Sequence, residues 1–266
     1  MRLATFALLA LAGASGAAAQ TSQQPTILLT IFGGYGTGHG LWVIDKQPLQ
    51  VLGTSQYDTL RLSQTVAPSI MLGVAATYFP SPHIGFHVEL SYVGFPVDGS
   101  CRGVFYHPDS EEKNRQTCDD IQQRGPDGGS IALFTGVTLR AAARRSLSPY
   151  ARLNFGIVNQ SRSTIAMDGG FIAASGIGVR EVIADPKPQR TVGMFGAAVG
   201  FTRPISPGYQ FRWEVRDLIV PMKRATGPGV PQTGQIVAPT ASRLYHHFSL
   251  TLGLDVVLEK KRGRRY

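Results

Sequence analysis

The sequence predicts an all-β chain, an up-and-down antiparallel β-barrel of eight strands whose long loops all lie at one end. Three observations carry this. Eight segments alternate apolar and polar residues with period two. The links between them alternate short and long. The first twenty residues read as an export signal, which puts the chain in the cell envelope.

The first segment is Thr26–Tyr35, and the second is Ile70–Phe79, with its start extended back toward Thr59. The third is Ile84–Phe95, where Ile84, Phe86, Val88, Leu90 and Tyr92 alternate with Gly85, His87, Glu89 and Ser91. Ser130–Ala142, Pro149–Gln160 and the glycine-rich Thr191–Thr202 follow. In Tyr209–Val220, Tyr209, Phe211, Trp213 and Val215 alternate with Gln210, Arg212, Glu214 and Arg216. The last is Tyr245–Leu258, where every even position from Phe248 is apolar.

The links after the second, fourth and sixth segments are Pro80–His83, Ala143–Ser148 and Arg203–Gly208. Proline and glycine there fit tight turns. The other links, about 36–58, 96–129, 161–190 and 221–244, are long and rich in Gly, Pro, Asp, Ser and Gln. Strict alternation of short turns and long loops is the habit of a transmembrane barrel in an outer membrane, with the loops outside. Leu41–Leu52 and Phe171–Ile183 also look extended. They form hairpins above the membrane, or two further membrane strands that would make ten.

Which face points outward follows from bulk. One face holds Ile, Leu, Phe, Trp and Tyr at nearly every position. The other holds Gly73, Ala75, Gly136, Gly156, Gly196, Ala198, Gly200 and Gly253 among its charges. Eight strands enclose a narrow interior, so the small and charged face turns inward and the bulky face meets lipid. Tyr78, Phe79, Tyr150 and Tyr209 near the turns, and Tyr35 and Tyr92 near the loops, match interfacial aromatic girdles.

The inward set carries charge: Glu89, Arg140, Arg152, Arg212, Glu214, Arg216 and Asp255. Charges withdrawn from water must pair. Counting from the turns puts Arg212 and Asp255 at equal depth on neighbouring strands. Glu89 and Glu214 lie a little deeper, with Arg152, Arg212 and Arg216 as candidate partners. The expectation is a polar plug and not a pore.

Only 16% of residues are charged, against 43% hydrophobic. Met1-Arg2 opens the chain, Leu3–Leu11 is an apolar run, and Ala17–Ala19 offers a cleavage site; residues 1–19 are read as a cleaved signal peptide, 20–258 as the barrel and 259–266 as a basic tail. The formal net charge is +9, and five cations stand in the final seven residues: Lys260, Lys261, Arg262, Arg264 and Arg265. Nucleic acid is not an expected partner of an exported chain. The two cysteines, Cys101 and Cys118, fit a disulfide stapling one long loop.

Taken together these features resemble the small eight-stranded outer-membrane barrels, the OmpA-like transmembrane domain and its relatives, over about residues 25–258. In that family the last strand carries a signal read by the barrel-insertion machinery. Thr251, Gly253, Val256 and Leu258 match its pattern. The resemblance implies outer-membrane lipid and that machinery as partners. It also implies an unidentified extracellular partner for the loops.

Chemistry is thinly signalled. His247-Phe-Ser249 resembles the spacing of outer-membrane lipid A deacylases, in which a His activates a Ser. Both residues fall on the lumen face, and Leu250 follows where that family has Asn. No phosphate loop, zinc spacing or calcium loop is present, although Asp98, Asp109, Glu111, Glu112, Asp119, Asp120 and Asp127 crowd one loop. No catalytic, metal or cofactor residue is assigned. The expected role is structural or surface interaction. The alternatives are a lipid-modifying barrel enzyme and a soluble periplasmic ligand-binding barrel.

Overall fold

The structure is a computed structural model that describes residues 25–108, 112–141, 146–188, 191–232 and 234–259. The expected signal peptide (1–19) and the basic run from Lys260 onward lie outside the described residues.

In chain order the elements are β1 (Thr26–Gly36), β2 (His39–Gln50), β3 (Tyr57–Val66), β4 (Ser69–Phe79), β5 (Ile84–Val93), β6 (Val97–Phe105) and α1 (Lys113–Gln123). Then come β7 (Ser130–Arg140), β8 (Ser148–Gln160), β9 (Met167–Ala173), β10 (Gly176–Ile183) and β11 (Thr191–Ser206). The chain continues through β12 (Tyr209–Ala225), β13 (Val230–Gln232), β14 (Gln235–Val237) and β15 (Thr240–Glu259). Eight of these strands close into an antiparallel barrel in the order β1-β15-β12-β11-β8-β7-β5-β4. Closure runs from Thr26 opposite Glu259 to Gly36 opposite Ser249.

The wall is inside out. Large apolar side chains stand exposed on all eight strands: Ile31 is 67% exposed, Phe155 60% and Phe248 51%. Between them the polar residues Thr30, Glu89, Arg152, Arg216 and Asp255 are buried. The largest apolar patch on a water-soluble monomer is roughly 300–600 Å², and a belt running round a whole barrel is far larger. Alternation fixes this arrangement, because a one-residue slip would turn every charge into lipid.

The barrel has the eight strands expected, without the two further ones that would have made ten. Other expectations are corrected. Leu41–Leu52 and the stretch around Thr59 belong to a separate sheet, β2-β3-β6, and the second barrel strand begins only at Ser69. Pro68, which has no N–H to donate, separates the two. The turn expected at Arg203–Gly208 contracts to Pro207-Gly208, with a register shift at Pro204 and φ of +84° at Gly208. Phe79 and Tyr150 are not girdle residues. Both point inward, at 4% and 6% exposure, whereas Tyr35, Tyr78, Tyr92 and Tyr209 face out.

The long links are not solvated coils. They fold into a cap over the loop end. β12 and β15 run 17 and 20 residues, well beyond the ~9–11 that cross a bilayer, and rise to form its back wall. The β2-β3-β6 sheet joins the first two loops, and the β9-β10 hairpin supplies the third. Leu49, Leu60, Leu62, Ile121, Ile165 and Val182 are buried together in its core. α1 stands inside the 96–129 link, where the sequence predicts only loop. Its buried residues are Asn114, Thr117, Cys118 and Ile121, a helical stripe of which half is polar. They are satisfied locally: the Asn114 amide donates to Asp58 at 2.7 Å and the Thr117 hydroxyl to the Lys113 carbonyl at 2.8 Å.

Specific bonds lock the loops to one another. The Trp42 indole donates to the Thr164 carbonyl at 2.8 Å, and the Tyr245 hydroxyl to the Leu41 carbonyl at 2.8 Å. Gln47 and the backbone of Gly229 exchange bonds at 3.1 and 2.7 Å. The disulfide Cys101–Cys118 ties α1 to β6 across a separation of 17 residues. Loop-closure entropy makes such a bond worth about 3 kcal/mol. Replacing both cysteines with alanine is expected to open the 97–123 region to protease while the barrel keeps its resistance. Peptide mapping of the digested protein checks this.

Candidate functional site

The centre of the lumen is a closed ring of ions. Glu89 projects inward from β5, Arg152 from β8, and Glu214 and Arg216 from β12. Each sits at the inward parity between lipid-facing neighbours such as Val88, Leu153 and Trp213. Arg152 reaches Glu89 and Glu214, both at 3.1 Å; Arg216 reaches Glu89 at 2.5 Å and Glu214 at 2.7 Å. Each guanidinium therefore holds both carboxylates, and each carboxylate both guanidinium groups. All four side chains are at most 1% exposed. The Tyr150 hydroxyl adds a bond to Glu214 at 2.8 Å, and the Phe32 ring lies 5.1 Å from the Arg216 guanidinium.

A second pair lies nearer the turns. The Arg212 Nε is 3.1 Å from Asp255, whose other partner is the Thr30 hydroxyl at 2.8 Å. Arg140, expected in the network, stands apart from it. Its guanidinium lies 4.2 Å from the Phe79 ring, and its buried Nε has no partner among the described residues. Arg140 ends its strand at the turn, where the face of Phe79 receives its charge.

Space for the ring comes from glycine. A Cβ at Gly200 would stand 2.7 Å from the Tyr150 hydroxyl, and one at Gly136 would stand 2.8 Å from His87 Cε1. His87 is held by Asn154 at 2.7 Å and Thr138 at 3.2 Å, so it is part of the packing.

His247 and Ser249 both face the lumen below the cap, 1% and 4% exposed. The Ser249 hydroxyl and the His247 Nδ1 have no hydrogen-bond partner among the described residues, so the two side chains are not bonded to each other. Phe95 packs edge-on against the His247 ring at 4.8 Å. Among the described residues no group of three or more His, Cys, Asp or Glu could hold a metal ion. Of the loop acids, Asp120 caps the Gly170 N–H at 2.7 Å and Asp127 pairs with Arg162. On β15, Thr251 and Gly253 face inward and Leu258 outward, with Val256 half-buried.

Tyr150 is the member of this site that sequence reasoning missed. A signal was present, since Tyr150 shares the parity of Arg152 and Asn154. Nothing in the sequence brings His39 to His247, because they are joined only through the cap.

No family model matches the chain, and no curated protein matches it. Solved structures do. OprG from Pseudomonas aeruginosa matches with TM-score 0.48 and 10% identity, covering 89% of this chain and 97% of that one. AlkL, solved in lipid bilayers, matches with TM-score 0.43 and 13% identity, over 93% and 96% of the two chains. Neisserial surface protein A matches with TM-score 0.41 and 7% identity, over 86% and 96%. All are small membrane barrels, and likeness this distant assigns neither a family nor a role.

Removing one member of the ring leaves an uncompensated buried charge, which typically costs 3–5 kcal/mol. Glu89→Ala is expected to lower the unfolding free energy by about that much. A charge-neutral double variant, Glu89→Gln with Arg216→Gln, is expected to recover most of it. Urea unfolding in lipid vesicles, followed by tryptophan fluorescence, reads both.

Proposed function

We propose that this chain is an integral outer-membrane β-barrel, exported through a cleaved signal peptide, with a sealed polar lumen. Its role is structural or surface-interacting and is carried by the cap. What supports this above all is the inversion of the barrel wall: exposed hydrocarbon outside, satisfied ion pairs inside. A soluble ligand-binding barrel would need the reverse, and water would have to hydrate the belt at a cost of roughly 25 cal/mol per Å². In a bilayer the belt is solvated and every backbone group is bonded within the closed sheet.

The sealed lumen is supported by the ring itself. Each ion in it already has two opposite partners, which leaves no site for a passing ion to exchange with. A conducting barrel requires a wider, water-filled interior. The cap stands at the end opposite the short turns, which in outer-membrane barrels is the cell exterior. It therefore offers a folded surface to an external partner. Thr251, Gly253, Val256 and Leu258 serve as the signal for the barrel-insertion machinery.

An enzyme reading has less support. His247 and Ser249 are not bonded to each other, and they lie in the lumen away from lipid tails. Ser249→Ala is expected to leave the mass of lipid A unchanged on expression, as measured by mass spectrometry. Fractionation tests the main reading. The chain is expected to resist carbonate extraction from membranes and to migrate faster unheated than heated on a gel. It is also expected to give no channel current in planar bilayers. Release by carbonate overturns the location, and steady conductance overturns the seal.

A further inference from the structure

The joint between cap and barrel contains two histidines that pair with no carboxylate among the described residues. His39 opens β2, the first strand of the cap, and His247 lies on β15 at the top of the lumen. Their ring centroids are 6.5 Å apart, at 66°. Among the described residues, both nitrogens of His39 and the Nδ1 of His247 are buried without a hydrogen-bond partner, and the backbone of Thr37 is the polar group that the His247 ring meets. The surroundings are aromatic. His39 stacks on Tyr245 at 5.0 Å, and Phe95, from the link between β5 and β6, meets the His247 ring. From β1, Gly36 lies so close to the His247 Nε2 that a Cβ would collide with it.

The one carboxylate that attracts charge on His247 among the described residues is Asp217 on β12, and it is already bonded to His246 on the outer face of the wall, at 2.7 Å. Arg243 lies 5.9 Å from the Tyr245 ring, and Arg224 also acts on Tyr245, so the other charges at the joint are positive. No carboxylate among the described residues forms an ion pair with His39 or His247. Burial pushes the His39 imidazole below its ordinary range.

We propose that the His39–His247 joint is an acid-sensitive latch, which holds the cap on the barrel while both rings are neutral and releases it when they take protons. A second proton would put like charges 6.5 Å apart between aromatic rings. The open joint lets water solvate each imidazolium, and the closed joint does not. The open state therefore binds more protons, and closure weakens as pH falls below the ordinary histidine pKa of about 6.5. If closure keeps a ring neutral throughout, the opening equilibrium rises about 30-fold per histidine between pH 7.5 and pH 5. Tyr245 and Leu41 are pulled with it, since the Tyr245 hydroxyl bonds the Leu41 carbonyl.

Hydrogen–deuterium exchange of the full chain in lipid bilayers tests the latch, with rates corrected for intrinsic pH dependence. At pH 5 the cap segments 39–66 and 97–105 are expected to exchange at least 30-fold faster than at pH 7.5, while the lower barrel strands do not change. His247→Phe and His39→Phe are each expected to remove part of that response, and the double variant nearly all of it. His246→Phe, on the outer face, is expected to keep it. Asparagine at the same positions gives a second pair of variants if phenylalanine disturbs packing, judged by unheated gel migration at pH 7.5. A cap whose exchange is the same at both pH values overturns the proposal. So does an acid response that survives intact in a folded double variant.

Discussion

Two glutamates and two arginines, shut away from water at the middle of the barrel, set the terms for the rest of the structure. Withdrawing four ions from water costs several kcal/mol each unless every one is matched. The match requires Glu89, Arg152, Glu214 and Arg216 to converge from three strands, within hydrogen-bond distance of one another. Convergence in turn requires a narrow lumen and inward neighbours that are mostly small. Glycine at 136 and 200 provides that room. The bulk that cannot fit inside is displaced to the outer face, where only lipid can solvate it. Charge inside and hydrocarbon outside are one constraint read from two sides.

The cap follows a different logic. It has a core like that of a soluble domain, with Leu49, Leu60 and Leu62 fully buried. Buried polar groups there are matched individually. Asp58, 0% exposed, accepts from the Asn114 amide and the His107 N–H, both at 2.7 Å. Arg180 then reaches Asn114 from the third loop. One carboxylate thus ties elements from three loops. The molecule has two cores of opposite polarity, ionic below and apolar above, with the histidine joint between them.

Much of this was legible in the sequence, and what was not has physical causes. The barrel strands could be read because lipid and lumen impose a strict period of two on Ile84–Tyr92 and Phe248–Leu258. Arg212 and Asp255 could be matched by counting from the turns, since depth in a meander is simple arithmetic. The cap could not be read that way. Its strands β2 and β3 pair with bulges, which break the period. Its helix buries asparagine and threonine where a hydropathy pattern expects leucine. The inward Phe79 and Tyr150 were missed for another reason. Aromatic residues at strand ends suggested an interface, although their parity with Thr77 and Arg152 pointed to the lumen.

The disulfide bears on the order in which the molecule comes together. Cys101 and Cys118 are 17 residues apart, so they can find each other in an otherwise unstructured chain. The contacts they support are far less local: Trp42 meets Thr164 across 122 positions, and Gln47 meets Gly229 across 182. Those must wait until the staves have closed and all four loops emerge on one side. With the cap on the cell exterior, as proposed, a chain oxidised early would cross the membrane carrying a ready-made cyclic segment. The width of that ring, and not of an extended strand, is what the passage must admit.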